Sequence, residues 1–174
     1  MTARLLGRSC CVLSLVDSDK VIWKSVSPPV TSVKEEPRYD SFCSWVVQDE
    51  SGRGVTVLDA KSDPRCTHIR VKPGLEFYAG VPITVGIEKH KIGALSIQGP
   101  PSSQISVIDM NILHEMSAWA SGEIDTILQQ KLLQDKESFV QSMDRLSEIA
   151  AGARNNFEKT GTDSRSLEKV SFRS

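Results

Sequence analysis

The sequence predicts an α+β domain, an antiparallel β-sheet flanked by helices, followed by a long C-terminal helix. Three observations lead there. Short β-branched and apolar runs bounded by turn residues recur through the first hundred or so positions. A proline-free stretch with apolar residues at helical spacing occupies 107–154. Finally, 174 residues with 39% hydrophobic and 25% charged content suit one folded domain plus an appendage, and two full domains would be cramped.

Residues 10–16 form the first run and 21–26 the second. The Asp17-Ser18-Asp19-Lys20 turn joins them into a hairpin, with Trp23 and Ser25 on one face and Ile22 and Lys24 on the other. Residues 27–38 contain Pro28, Pro29 and Pro37 and little periodicity, and read as a loop. Asp40 can then cap a short helix that carries Phe42, Trp45 and Val46 on its inward side. Gly52 and Gly54 mark a turn before a third strand at 55–58, and 59–75 is irregular, with Pro64, Pro73 and Gly74. A loop of that length typically covers a site. Strands at 77–84 and 92–97 follow. Ser106 with Asp109 makes a capping-box-like start, and Ile105 with Met110 occupies the staple positions, so the long helix begins near Val107. Ile108, Ile112, Met116 and Trp119 share one face of it, which is expected to cover the sheet. Further along, Leu132, Phe139 and Leu146 recur every seven residues, with Leu128 and Met143 on the same stripe, the pattern of an assembly seam. The expected organisation is a sensory domain at 1–130, an extended signalling or coiled-coil helix at 131–154, and a disordered polar tail at 155–174.

Composition excludes several partners. Lys plus Arg is 21 and Asp plus Glu is 22, so a net charge of -1 supplies no field to attract nucleic acid. No apolar run reaches the ~20 residues of a membrane span, and 1–9 hold too few apolar residues for a secretory signal. Cys10, Cys11, Cys43 and Cys66 lack C-x-x-C spacing, which fits reduced thiols in the cytoplasm or nucleus, the cytoplasm being the expected location.

In order, Ser14-Leu15-Val16-Asp17, Trp23-Lys24-Ser25, Ser41-Phe42-Cys43, Asp59-Ala60 with Asp63-Pro64-Arg65, Phe77-Tyr78-Ala79-Gly80-Val81-Pro82 and Ile92-Gly93-Ala94-Leu95-Ser96-Ile97 resemble the GAF domain family over about residues 10–128. The resemblance implies a GAF-like antiparallel sheet with helices packed against it and a ligand pocket on the opposite face, under the short helix and the loop after the third strand. It also implies a sensory role, since such domains commonly stand upstream of histidine kinases, phosphodiesterases, cyclases or transcriptional activators. Departures are the short start, with only nine residues ahead of the first strand where the family has a helix, and Gln98 where the nearest relatives carry an aspartate.

The expected ligand site lies between the sheet and residues 38–75. Trp23, Phe42, Phe77 and Tyr78 would supply apolar burial, although for Phe77, as for Trp45, the core reading is favoured. Cys43 lies beside them, and Asp59 or an exposed backbone amide would set orientation. Asp59, Asp63 and Arg65 are also a good way to cap and turn a loop. The ligand is unknown and no cofactor is identified. Cys66 and His68, with Cys43, could ligate zinc or iron, but two ligands on a loop are read as solvated, and no metal is expected. The signatures of bilin and cyclic-nucleotide binding are absent. Cys43 and Cys66 fall roughly where free methionine-(R)-sulfoxide reductases, an enzymatic branch of the family, keep redox cysteines; there a thiolate attacks the sulfoxide and a second thiol resolves the product. Their neighbours do not match that branch. The main expectation is therefore a non-enzymatic, small-molecule-sensing module, homodimeric through its C-terminal helix, the input part of a signalling protein such as a histidine kinase. The alternatives are the reductase and a ligand-free interaction and dimerisation domain.

Overall fold

A computed structural model describes residues 10–27, 35–69, 71, 73–102 and 104–168, with 155–168 as backbone only. The opening hairpin pairs β1 (Cys10–Val16) with β2 (Lys20–Ser27), and the turn closes on a bond from the Asp17 amide to the Lys20 carbonyl of 2.8 Å. β3 (Glu35–Pro37) follows, then α1 (Phe42–Gln48), β4 (Val55–Val57), β5 (Phe77–Val85), β6 (His90–Gly99) and α2 (Val107–Glu168). Among the described residues the strands form one antiparallel sheet in the order β3-β2-β1-β6-β5-β4.

Two local features depart from the sequence expectation. Part of the stretch read as a loop is strand β3, where Pro37 pairs with Lys20. An edge strand tolerates proline because one row of its backbone groups has no ladder to join. The cap of α1 is Ser41, whose hydroxyl accepts from the Cys43 amide at 3.2 Å, while Asp40 ends a preceding 3-10 turn.

Alternation along the strands builds a core on each face of the sheet. Phe77, Ala79, Val81 and Ile83 of β5 and Leu95 and Ile97 of β6 pack with Leu113 and Ala120 of α2. On the other face Tyr78 and Ala94 meet Phe42, Cys43 and Val46 of α1, together with Val57, Cys66 and Ile69. α2 begins as expected: the Ser106 hydroxyl accepts from the Asp109 amide at 3.0 Å, and Ile105 and Met110 pack on the core.

The sheet-facing side of α2 is rotated from the expected one. Ile112 and Met116 do pack inward, but Ile108 and Trp119 are exposed, and the buried line runs through Leu113, Ser117, Ala120 and Ser121. Small side chains there let the helix approach β5 closely enough to hydrogen-bond its backbone.

The chain divides into two compact units, Met1–Thr126 and Ile127–Ser174, where the sequence suggested a limit at 130. In the second unit the helix continues to Glu168, through the polar stretch expected to be disordered from 155. That stretch has no proline, and its single Gly161 costs a helix only ~1 kcal/mol. Within this unit Leu128, Leu132, Phe139, Met143 and Leu146 are exposed. Among the described residues no helix is long and apolar enough to cross a membrane.

Candidate functional site

Between the sheet and α1 lies a cavity with room for about 40 Å3 of water-sized occupants. Phe42 and Cys43 enter it from α1, Tyr78 from β5 and Trp23 from β2, and Ile69, Val71 and Leu75 of the long loop close its apolar side. The rings of Phe42 and Tyr78 lie 4.9 Å apart, and Phe42 meets Trp45 edge-on at 5.5 Å. Four polar residues complete the wall: Glu36 of β3, Asp40 and Ser41 ahead of α1, and Gln98 of β6. Mostly apolar walls with a few convergent polar groups are the usual make-up of a small-molecule site.

The floor is a buried thiol–phenol pair. The Cys43 sulfur accepts from the Ser14 hydroxyl at 3.1 Å and from the Tyr78 hydroxyl at 3.5 Å. Burial pushes the Cys43 thiol above its ordinary value against the pull of those hydrogen bonds, and burial, then the nearby Cys43, pushes the Tyr78 phenol well above its own. Both groups therefore stay protonated at neutral pH. Gly80 makes the arrangement possible, because a Cβ at that position would overlap the Tyr78 ring and hydroxyl.

Of the residues expected at the site, Trp23, Phe42, Cys43 and Tyr78 come together. Phe77 and Asp59 do not. Phe77 is the strand neighbour of Tyr78 and so points to the opposite face, into the core under α2. Asp59 borders a separate open cleft with Thr56, Asp63, Arg65 and Ser102, and its carboxylate is used locally, accepting from the Lys61 amide at 3.0 Å and the Ser62 hydroxyl at 2.9 Å. Asp63 likewise caps its own turn and binds Arg65 at 2.6 Å, and Arg65 lies 5.7 Å from the Trp45 ring centroid. Cys66 is buried while His68 is exposed against Trp45, so the two diverge.

Glu36, Asp40, Ser41, Gln98 and the loop residues Ile69, Val71 and Leu75 were not among the expected site residues. A signal existed for Gln98: it continues the face of Ala94 and Ser96 in a strand whose opposite face is core. Glu36 sat in a segment not recognised as strand.

The edge of β5 is fastened to α2. The Ser117 hydroxyl donates to the Pro82 carbonyl at 2.5 Å, the Thr84 amide donates to the Ser121 hydroxyl at 3.0 Å, and the Gly86 amide donates to the Asp125 carboxylate at 2.8 Å. Steps of four on the helix match steps of two on the strand, since both advance about 6 Å.

No family model and no curated protein matches the sequence. Solved structures do. The GAF domain of an Acinetobacter phosphoenolpyruvate-protein phosphotransferase is similar with a TM-score of 0.57 and 19% identity, over 70% of this chain and 74% of that one. The cyanobacteriochrome receptor PixJ gives 0.54 and 12%, over 72% and 89%. Free methionine-R-sulfoxide reductase from Neisseria meningitidis, solved in complex with its substrate, gives 0.52 and 21%, over 67% and 66%. The chain has the GAF-domain fold, which sensors and reductases share.

Proposed function

We propose that this chain is a small-molecule-sensing or regulatory module of the GAF type, a cytoplasmic, homodimeric input segment of a signal-transduction protein such as a histidine kinase. One observation carries this reading: β5 holds Tyr78 in the cavity and, a few residues on, is hydrogen-bonded to α2 through Ser117, Ser121 and Asp125. An occupant that displaces the Tyr78 ring would move the strand on which α2 is seated, so occupancy and helix pose are coupled through differential contacts. The exposed apolar stripe beyond Thr126 supplies an assembly surface for the output. Native mass spectrometry of freshly purified protein, followed by a thermal-shift screen of small molecules, tests the sensing role. A hit should slow amide exchange in residues 77–86 and 107–126 together. Protection confined to the cavity would reduce the module to a binding domain without output, and no hit in any class would favour the ligand-free interaction domain.

The reductase is the second reading, supported by the shared fold and by Cys43 on the cavity floor. It requires a thiolate. Cys43 is held as a thiol by burial, and burial, then Asp63, pushes the Cys66 thiol up as well. Turnover of free methionine-(R)-sulfoxide that is lost in Cys66→Ser or Cys43→Ser would establish the enzyme and displace the sensor.

A further inference from the structure

Within the second unit, the exposed apolar line on the helix has a definite heptad frame. Phe139, Met143 and Leu146 follow one another at steps of four and three, which makes 139 and 146 d positions and 143 an a position. Leu132 is then d as well, and Ala150 and Ala153 continue the line as a and d. Between Leu132 and Phe139 the a position is Lys136, the only charged residue in this line from 132 to 153, and Asp135 is the g position beside it. The other charged residues of 129–153 are Lys131, Glu137, Asp144, Arg145 and Glu148, and all of them fall at b, c or f, on the outer side of the helix. Asp135 and Lys136 are thus the two charges that face the seam, and both are exposed on the helix. Consecutive helical residues do not face each other, so Asp135 of the same chain is badly placed to neutralise Lys136. An ammonium enclosed in an apolar seam is costly unless a carboxylate lies within reach.

We infer that a second copy of the chain supplies that carboxylate: the surface takes an identical helix, parallel and in register, in which each Lys136 bonds Asp135 of the other copy. The inference rests on the homodimer reading and specifies its geometry. In a parallel two-stranded pair the side chain at a enters a hole formed by four residues of the facing helix, which in register are 132, 135, 136 and 139. Two-fold symmetry makes the contact twice. Charge also fixes the register. The d positions Leu132, Phe139 and Leu146 are all apolar and would tolerate a slip of one heptad, but the slip brings Lys136 to Leu128 or Ser142, the neighbouring g residues, and leaves both ammonium groups without a counter-charge. The Asp135–Lys136 contact therefore selects one alignment by penalising the others.

The test uses the full chain and exchanges charge without removing it. Asp135→Lys and Lys136→Asp each set like charges against each other across the seam, and each variant should dimerise at least about tenfold more weakly than the wild type in sedimentation equilibrium. Mixed one to one, the two variants meet with opposite charges at both contacts. With the Lys136→Asp chain 15N-labelled, native mass spectrometry should report about nine-tenths of the dimers as heteromeric, where random exchange gives about half. The chain carrying both substitutions should recover the wild-type Kd to within about threefold, a coupling that a loss of helix propensity at either position does not produce. If the wild type dimerises but the single variants are as tight, the mixture stays statistical or the double variant fails to recover, the ion-pair inference is overturned and the homodimer stands. If the wild type is monomeric, the homodimer reading fails and the inference with it.

Discussion

The hydroxyl of Tyr78 lies 3.5 Å from the sulfur of Cys43, and both side chains are buried with pKa values raised above the ordinary ones. The consequence for stability has a definite sign. A thiol whose folded pKa exceeds its unfolded value of about 8.5 contributes fully below that value. As pH rises past it the unfolded chain ionises first, and stability falls until the folded thiol ionises too. Urea midpoints from pH 7 to 10 should therefore decline for the wild type, with Tyr78 adding a decline of the same sign above about 10. Cys43→Ala should flatten the first part of that decline. A variant profile of unchanged slope would show that another group is responsible.

Gly80 is the positional reason that a tyrosine fits at 78. Gly80→Ala places a methyl against the Tyr78 ring and hydroxyl, and overpacking of this sort costs about 1–3 kcal/mol. Removing the hydroxyl relieves the tightest overlap, so Tyr78→Phe and Gly80→Ala should be less destabilising together than the sum of the two alone. Strict additivity in chemical denaturation would place the clash elsewhere.

How far such details were legible in the sequence depended on the kind of signal. Strand and helix positions followed from alternation and capping residues, while Phe42, Cys43 and Tyr78, which line the cavity, were expected there from the aromatic residues near a long loop and from where the GAF resemblance puts a pocket. Phe77 was misplaced although period-two alternation already separates it from Tyr78: hydrophobicity says that a side chain is buried, and only the register says on which face. Asp59 looked like a ligand anchor because a capping carboxylate and a binding one have the same identity and differ only in which N–H groups lie nearby. Glu36 was hidden by Pro37, which reads as loop in a central strand but is allowed at a sheet edge. The phase of α2 failed for a related reason, since Ser117, Ala120 and Ser121 carry no hydrophobic signal and yet are buried by close approach to β5.

That approach yields a third expectation. Ser121→Ala removes the acceptor for the Thr84 amide and leaves a partly buried N–H unsatisfied, a loss of about 1–3 kcal/mol. Exchange of the Thr84 amide, followed by NMR, should accelerate more than that of neighbours bonded to β6. Uniform acceleration across the sheet would mean that the substitution acts globally and not through this bond.

At acid pH the relevant carboxylate is Glu76, which is 4% exposed and paired with Lys61 at 2.7 Å. The hydrogen bond from Lys61 holds its carboxyl below the usual glutamate value. The sign is opposite to that of the thiol: the contribution is present above about pH 4.3, the unfolded value, and is lost as pH falls through the folded one. Lys61→Met should reduce stability at pH 7 and make the loss between pH 5 and 3 shallower. An acid limb identical to that of the wild type would exclude the pair as its origin.

The last expectation concerns assembly. Leu132, Phe139 and Leu146 are 55%, 65% and 60% exposed at seven-residue spacing, and Leu128 and Met143 extend the same stripe. A helix in water that keeps a phenylalanine and several leucines in one line leaves a continuous apolar surface uncovered, and a second copy of the same helix covers it with the same residues. A seven-residue repeat is met most simply by a parallel pair in register, in which each Phe139 packs beside its counterpart. Sedimentation equilibrium of the intact chain should report a dimer, and Phe139→Glu, which sets two carboxylates opposite each other in the seam, should raise the dissociation constant at least a hundredfold without changing the thermal unfolding of the N-terminal unit. An intact chain that sediments as a monomer, or a Phe139→Glu variant that dimerises as tightly as the wild type, would remove the seam as the interface.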